Sequence, residues 1–365
     1  MPTRLVLVGG GHAHLAVLDA LARDPIGEID TTIVSTDPRQ FHPAMLPEVI
    51  RGTLPFESIT VDVAALARRA GARIQVATAT GLDRDRRELR LGDGTALRYD
   101  VLSIATGAGL TGVDREGVRT WALMSRPTAE AAAMGPALDG LLRRKAGGAI
   151  DLAVIGGGVD AIELALAARA RLSAAGNQVR ANIVTEEERL LAQWPGSNGA
   201  RLAELLNSHG IAVRTGSQVR SVATGELVLQ ENERLPADAV LWANGPAPLP
   251  FARAIGLTAD QAGAIRADAW LRSVDDPLVF IAGHVATLEG HPVDPLRAGP
   301  ILAHNLFCVC TGAGPLRRYV HRRRPLFLTL GSDRARIEWG PVSLEAGWIK
   351  AIKDRRDAAY VARFG

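Results

Sequence analysis

Leu5-Val6-Leu7-Val8-Gly9-Gly10-Gly11-His12-Ala13-His14 stands near the start of the chain, and Leu152-Ala153-Val154-Ile155-Gly156-Gly157-Gly158-Val159-Asp160-Ala161 stands in its middle. Each is a short apolar run of the kind that forms a buried parallel strand, then three glycines, then a segment with helical spacing of its apolar residues. Beyond each helix comes a second apolar strand, Thr31 to Ser35 in one place and Val179 to Thr185 in the other. The pattern predicts a β-α-β unit twice over.

A second element recurs in the same order. Asp93-Gly94 opens a turn ahead of Tyr99-Asp100-Val101-Leu102-Ser103-Ile104-Ala105-Thr106-Gly107, and Pro236-Ala237-Asp238-Ala239-Val240-Leu241-Trp242-Ala243-Asn244-Gly245 has the same shape. Both are an acid, an apolar strand and a small-residue turn closing on glycine. Gly9 and Gly107 are 98 residues apart (107 less 9), Gly156 and Gly245 are 89 apart (245 less 156). Two different motifs repeated at matching separations rule against chance glycine-rich turns.

The glycines have mechanical reasons. Gly9 and Gly156 suit the tight turn leaving a strand, and Gly11 and Gly158 leave room for a pyrophosphate to approach the backbone. The following helix directs free N–H groups and its positive end at such an anion. A third position favours a small residue where helix meets strand; Ala161 obeys and His14 does not. An acid at the end of the second strand holds adenosine ribose hydroxyls. Glu186 or Glu187 is available in the second copy and would repel a 2′-phosphate, favouring NADH over NADPH, while Arg180 and Arg189 pull the other way. In the first copy Ser35 occupies the expected place, followed by Thr36 and Asp37; either Ser35 donates a bond or Asp37 reaches back.

Composition narrows the rest. The 365 residues suffice for two or three domains, and 47% apolar with 22% charged residues is an ordinary globular balance. Net charge is +3 and no basic run is interleaved with aromatics; Arg322-Arg323-Arg324 reads as a solvated connector, so no nucleic-acid partner is expected. Cys308 and Cys310 are the only cysteines. On a predicted helix, residues two apart do not face each other, so they read as small apolar side chains in a reducing, cytoplasmic compartment. No signal-peptide pattern opens the chain, and no apolar run nears the ~18 residues of a membrane span. His42, His291, His304 and His321 lack metal-ligand spacing, and no metal is expected.

On these motifs the chain resembles the pyridine nucleotide-disulfide oxidoreductase superfamily, flavoproteins with two dinucleotide-binding domains. Within it the branch of type-II NADH dehydrogenases and sulfide:quinone oxidoreductases fits best. Val8 to His14 and Met45-Leu46-Pro47 are similar to NADH dehydrogenase-like proteins associated with selenide, water dikinase. The resemblance implies an α/β fold: two Rossmann-like domains of three-layer ββα type, the second inserted in the first. Residues 1–112 and 268–320 would form the FAD-binding domain, 113–267 the NAD(P)H-binding domain, and 321–365 a small C-terminal segment.

By the same resemblance, FAD would meet Gly9, Gly11, His12, Ala13, His14, Ser35, Thr36 and Asp37, then Ala79, Ala105, Thr106 and Gly107, and finally Gly283, His284 and Arg297. NADH, or NADPH as co-substrate, would meet Gly156, Gly158, Val159, Asp160, Glu186, Asn244 and Gly245. Glu163 matches an acid near the point where nicotinamide and flavin stack, and is the candidate catalytic residue. His284 departs from the family, which places Asp there to accept a ribityl hydrogen bond.

The implied activity is hydride transfer from NADH to the flavin, then electron transfer to a small acceptor such as a quinone. Cysteine is absent from Ser35 to Gly52 and from the inserted domain, which excludes a redox-active disulfide. Two alternatives stay open: a nucleotide-binding sensor or partner protein without turnover, and a flavoenzyme dedicated to a biosynthetic or sulfur- or selenium-linked step. The tail from Trp348 to Phe364 places Trp348, Ile349, Ile352, Ala359 and Tyr360 near one helical face among basic residues. That face suits packing on its own FAD domain, a homodimer, or peripheral contact with the inner face of a membrane.

Overall fold

The computed structural model describes residues 2–192, 194, 199–322, 324–339 and 342–365; Arg323, the middle of the basic triplet, lies outside them. The apolar runs become the middles of two five-stranded parallel sheets. The first runs Val279–Ile281, Val101–Ile104, Thr3–Val8, Ile29–Ser35 and Arg73–Val76 across its width. The second runs Ala122–Met124, Ala239–Trp242, Ala149–Ile155, Gln178–Val184 and Ile211–Arg214. In both, the strand leading into the glycines is central. Its β-α-β partner lies on one side and the strand of the small-residue turn on the other.

Central strands of such a sheet are covered on both faces, which is why they read as unbroken apolar runs; Leu5, Leu7, Leu152 and Val154 are fully buried. Each sheet also shares its core with a three-stranded antiparallel meander. These are Ala79–Asp83, Glu88–Leu91 and Ala96–Arg98 in one case, and Val219–Ala223, Glu226–Leu229 and Arg234–Pro236 in the other. Three layers result in each half, and the chain leaves the first sheet for the second before returning at Val279–Ile281.

The duplicated motifs recur together because they touch. Gly9 and Gly156 have φ of +96° and +131°. A Cβ on Gly9 would fall 2.6 Å from the Thr106 Cα, and one on Gly156 would fall 2.6 Å from the Ala243 oxygen. In both halves the glycine loop packs backbone to backbone against the small-residue turn.

The last part of the chain forms an antiparallel sheet, Leu326–Thr329, Ala335–Trp339 and Val342–Ala346, and the helix Gly347–Ala362. That helix docks on the first half by polar contacts: Lys353 donates to the Ala44 carbonyl at 2.6 Å, and Arg363 reaches Asp19 at 2.8 Å. Its inward stripe is Ile349, Lys353 and Asp357, with the half-buried Tyr360 beyond. Trp348 and Ile352, expected beside Ile349, are 59% and 54% exposed. Adjacent helical positions diverge by about 100°, so Trp348 and Ile349 cannot share a direction, and the buried stripe selected the charged residues because each finds a partner.

Candidate functional site

A cavity of about 860 Å³ lies at the carboxyl ends of the central strands, and both glycine loops line it. Parallel α/β sheets place ligands at this end. The helices His12–Arg23 and Val159–Ala174 begin at Gly11 and Gly158, and neither N-terminus is capped by a side chain. Their first-turn N–H groups are therefore available to an anion. A Cβ on Gly158 would meet none of the described residues within 4 Å, whereas one on Gly11 would stand 2.3 Å from the Ala105 oxygen. Packing against the described residues does not require a small residue at Gly158, whereas the Ala105 backbone requires one at Gly11.

On the first side the wall holds His12, Ala13, Ala79, Ala105, Thr106 and Gly107, as expected from sequence. Ser35, Thr36 and Asp37 are there too. The Ser35 hydroxyl donates to the Asp37 carbonyl at 2.7 Å, and the Asp37 carboxylate accepts from the Arg39 backbone N–H at 2.9 Å. The two side chains thus shape their own turn. Gly283 and His284 also line the cavity, with the His284 ring exposed to it. Surrounding protein, and then the Arg126 guanidinium, hold that imidazole below its ordinary value, so it is neutral and can accept a hydrogen bond at neutral pH.

On the second side Gly158, Val159, Asp160, Asn244 and Gly245 line the cavity. Asp160 pairs with Arg126, a wall residue that no motif marked in the sequence. Glu187 is in the wall, while Glu186 is not: it pairs with Arg115 at 2.6 Å and accepts from Gln218 at 3.3 Å. Of the two carboxylates weighed for the ribose, Glu187 is the one that faces the cavity.

Four more expected residues lie outside the wall. Gly156 is spent on the turn. Arg297 follows Pro295, which reaches the wall in its place. His14 is fully buried, with Nδ1 2.6 Å from the Gly9 oxygen and Nε2 2.8 Å from Ser103 Oγ. Burial lowers this imidazole to about 4. Being neutral, it donates from Nδ1 to the carbonyl and accepts the serine hydroxyl at Nε2. It braces the glycine loop and touches no ligand space.

Glu163, expected beside the reacting rings, instead turns toward the C-terminal sheet. It is 3% exposed and accepts from the Thr329 N–H at 2.6 Å and the Thr329 hydroxyl at 2.7 Å. It sits one helical turn deeper than Val159, and Thr329 satisfies the buried carboxyl there. Desolvation pushes the carboxyl up to about 7, against the pull of Lys353 and Thr329. Cys308 and Cys310, both on the helix Pro295–Thr311, are also outside the wall.

The sequence pattern of the family described as pyridine nucleotide-disulphide oxidoreductase matches residues 3–305. An NADH dehydrogenase-like protein of Mycobacterium tuberculosis is 28% identical over 300 residues, covering 78% of this chain and 73% of that protein. The demethylphylloquinone reductase NdbB of Synechocystis is 28% identical over 291 residues, covering 77% and 71%. Among solved structures, NDH2 from Plasmodium falciparum in complex with NADH superposes with a TM-score of 0.80 at 14% identity, covering 100% of this chain and 98% of that one. The sulfide:quinone oxidoreductase of Aquifex aeolicus gives 0.78 at 16% identity, covering 99% and 91%.

Proposed function

The chain belongs to the pyridine nucleotide-disulphide oxidoreductase family and is an FAD-dependent NAD(P)H oxidoreductase, and from that premise we propose that it oxidises NADH and passes the electrons to a quinone-type acceptor. One observation carries the reading: two uncapped helix N-termini, each behind a glycine loop, open into one cavity. The flavin, when bound, supplies hydride acceptance and onward electron transfer. The chain's own part is to hold two nucleotides so that their rings meet.

In this reading residues 1–112 and 268–320 hold FAD, through the N–H groups that follow Gly11, the turn Ala105–Gly107 and the neutral His284. Residues 113–267 hold the nicotinamide nucleotide, through Gly158, Asn244 and Gly245. Glu187 takes the adenosine ribose hydroxyls, and its charge selects NADH over NADPH. Glu163 acts through Thr329 by fixing the C-terminal sheet against the second half. Anaerobic addition of NADH should bleach the flavin bands of the purified protein, and a named quinone such as menadione should restore them. Flavin that NADH cannot reduce would overturn the proposal.

The acceptor is reached at a membrane surface. Trp339, Leu344, Trp348 and Ile352 on the C-terminal sheet and helix are between 47% and 59% exposed, and the neighbouring Arg355 and Arg356 are exposed too. Aromatic and aliphatic side chains beside cations suit an anionic interface. No helix among the described residues is long and apolar enough to cross a membrane. Sedimentation with vesicles containing anionic lipid should be lost in a Trp348→Ser, Ile352→Ser double variant.

A further inference from the structure

The two glycine loops differ at a position that bears on how firmly each holds its nucleotide. Counted from Gly9 and Gly156, Ala13 corresponds to Asp160. The helix His12–Arg23 has no acid in its first turn, whereas Val159–Ala174 carries Asp160 there. Among the described residues the Asp160 carboxylate accepts one hydrogen bond, from Arg126 Nη2, so it does not cap its own helix. Asp160 and Arg126 form an ion pair, their side chains 41% and 17% exposed, and both line the cavity.

Arg126 is fixed from both ends. The Ser125 N–H just before it donates to the Trp242 carbonyl at 3.0 Å, and Pro127 just after it leads into the helix Thr128–Arg144. A guanidinium has five N–H donors, and among the described residues this one spends a single donor on Asp160. Its charge is felt across the cavity. Burial and the neighbouring histidines, then Arg126, lower His12 to about 3, and at His284 Arg126 follows burial in the same direction. The guanidinium therefore stands where the two halves face each other. The other arginine of the wall, Arg39, pairs with Asp37 at 3.3 Å on the first side.

We propose that Asp160 is a built-in competitor for the pyrophosphate of the nicotinamide nucleotide, its carboxylate and the phosphates vying for Arg126 and for the same helix N-terminus. The inference rests on the reading of the second half as the NADH site. Asp160 is the second residue after Gly158, so its carboxylate is carried by the very turn whose N–H groups receive the phosphates. An acid in that turn already satisfies the positive end of the helix, and a pyrophosphate brings two further negative charges beside it. Binding exchanges the contact of Arg126 with Asp160 for a contact with phosphate, and only the difference appears as affinity. The asymmetry between the loops suits the two nucleotides. FAD stays through every turnover, and its loop, with Ala13, presents no internal anion in the first turn. NAD⁺ has to leave before the next NADH arrives, and its loop carries one.

ADP-ribose has the adenosine and the pyrophosphate but no nicotinamide, so it reports on this contact without reducing the flavin. Titrated calorimetrically into the FAD-loaded protein, it should bind Asp160→Asn about threefold to fivefold more tightly than wild type, the worth of a partly exposed ion pair. Arg126→Gln should bind it about tenfold less tightly, through loss of a charge-assisted hydrogen bond. Adding Asp160→Asn to that variant should recover part of the loss, because an unpaired acid no longer faces the phosphates. In stopped flow, NAD⁺ should leave Asp160→Asn more slowly by a similar factor. Asparagine keeps the size of aspartate and removes only its charge, so this variant decides the matter by itself. Affinity for ADP-ribose that is unchanged or weaker in Asp160→Asn would overturn the competition and leave the pair a structural brace. Wild-type protein that binds neither ADP-ribose nor NADH would overturn the underlying reading of the second half, and the competition with it.

Discussion

The two glycine loops are close copies in sequence and do different work. Gly11 and Gly158 occupy the same place, yet a side chain at Gly11 would strike the Ala105 carbonyl while one at Gly158 would meet none of the described residues. His14 and Ala161 also correspond. The histidine spans from Gly9 to Ser103 by two hydrogen bonds, and the alanine lies against Gly156, where an added Cβ would be 3.2 Å away. Two residues on, Ala16 faces Ala298–Gly299 of the Pro295–Thr311 helix, and a Cβ on Gly299 would be 2.7 Å from it. Its counterpart Glu163 takes Thr329 of the C-terminal sheet. A shared motif sets the turn and leaves the helix N-terminus uncapped; the residues beside it decide what else docks there.

Substitution of the paired glycines should break the symmetry most sharply. Gly11→Ala forces a backbone clash, so a loss of about 3 kcal/mol or more is expected, with flavin content falling in parallel. Gly158→Ala should leave the unfolding midpoint within about 0.5 kcal/mol and weaken NADH binding about tenfold. Equal stability losses in the two variants would remove the distinction.

His14→Ala tests the brace. It deletes two hydrogen bonds and leaves Gly9 and Ser103 unsatisfied, for an expected loss of about 2–4 kcal/mol in urea unfolding. A loss below about 1 kcal/mol would show that the loop holds itself.

Glu163→Gln tests the opposite corner through pH. The folded carboxyl titrates near 7, above its unfolded value near 4.3. The folded state therefore binds the extra proton, and the stability this contributes is fully present below about pH 4 and lost as pH rises through 7. Glutamine keeps an acceptor for Thr329 and cannot ionise. The variant should be stabilised relative to wild type by on the order of 1–3 kcal/mol at pH 8 and by little at pH 4.5. No pH dependence of the difference would mean that Lys353 keeps the carboxylate charged.

The smallest expected effect is at His284. A carboxylate is a stronger acceptor than a neutral imidazole, so His284→Asp should tighten FAD by about 1 kcal/mol. With the wild-type imidazole held below its usual 6.5, FAD should be retained evenly from pH 8 to 6.5 and loosen only below that, as measured by flavin released on gel filtration.

Much of the fold was legible because it is written locally. Glycines that permit positive φ, apolar runs of strand length and helical spacing each dictate their own few residues, and repetition of two motifs in order implied two sheets of one kind. Most of the cavity wall followed, since it is made of those turns. Arg126 was not legible: it precedes Pro127 in no recognisable motif, and only folding sets it beside Asp160 and His284. Glu163, Glu186 and His14 missed the wall because a position in a motif fixes the backbone, while the side chain goes where a partner is found. Glu163 found Thr329, Glu186 found Arg115 and His14 found Ser103. The His12–Tyr360 bond joins residues 348 positions apart. No local rule couples such positions; the tail helix brings them together because its buried stripe needs polar partners, and the first half of the chain supplies them.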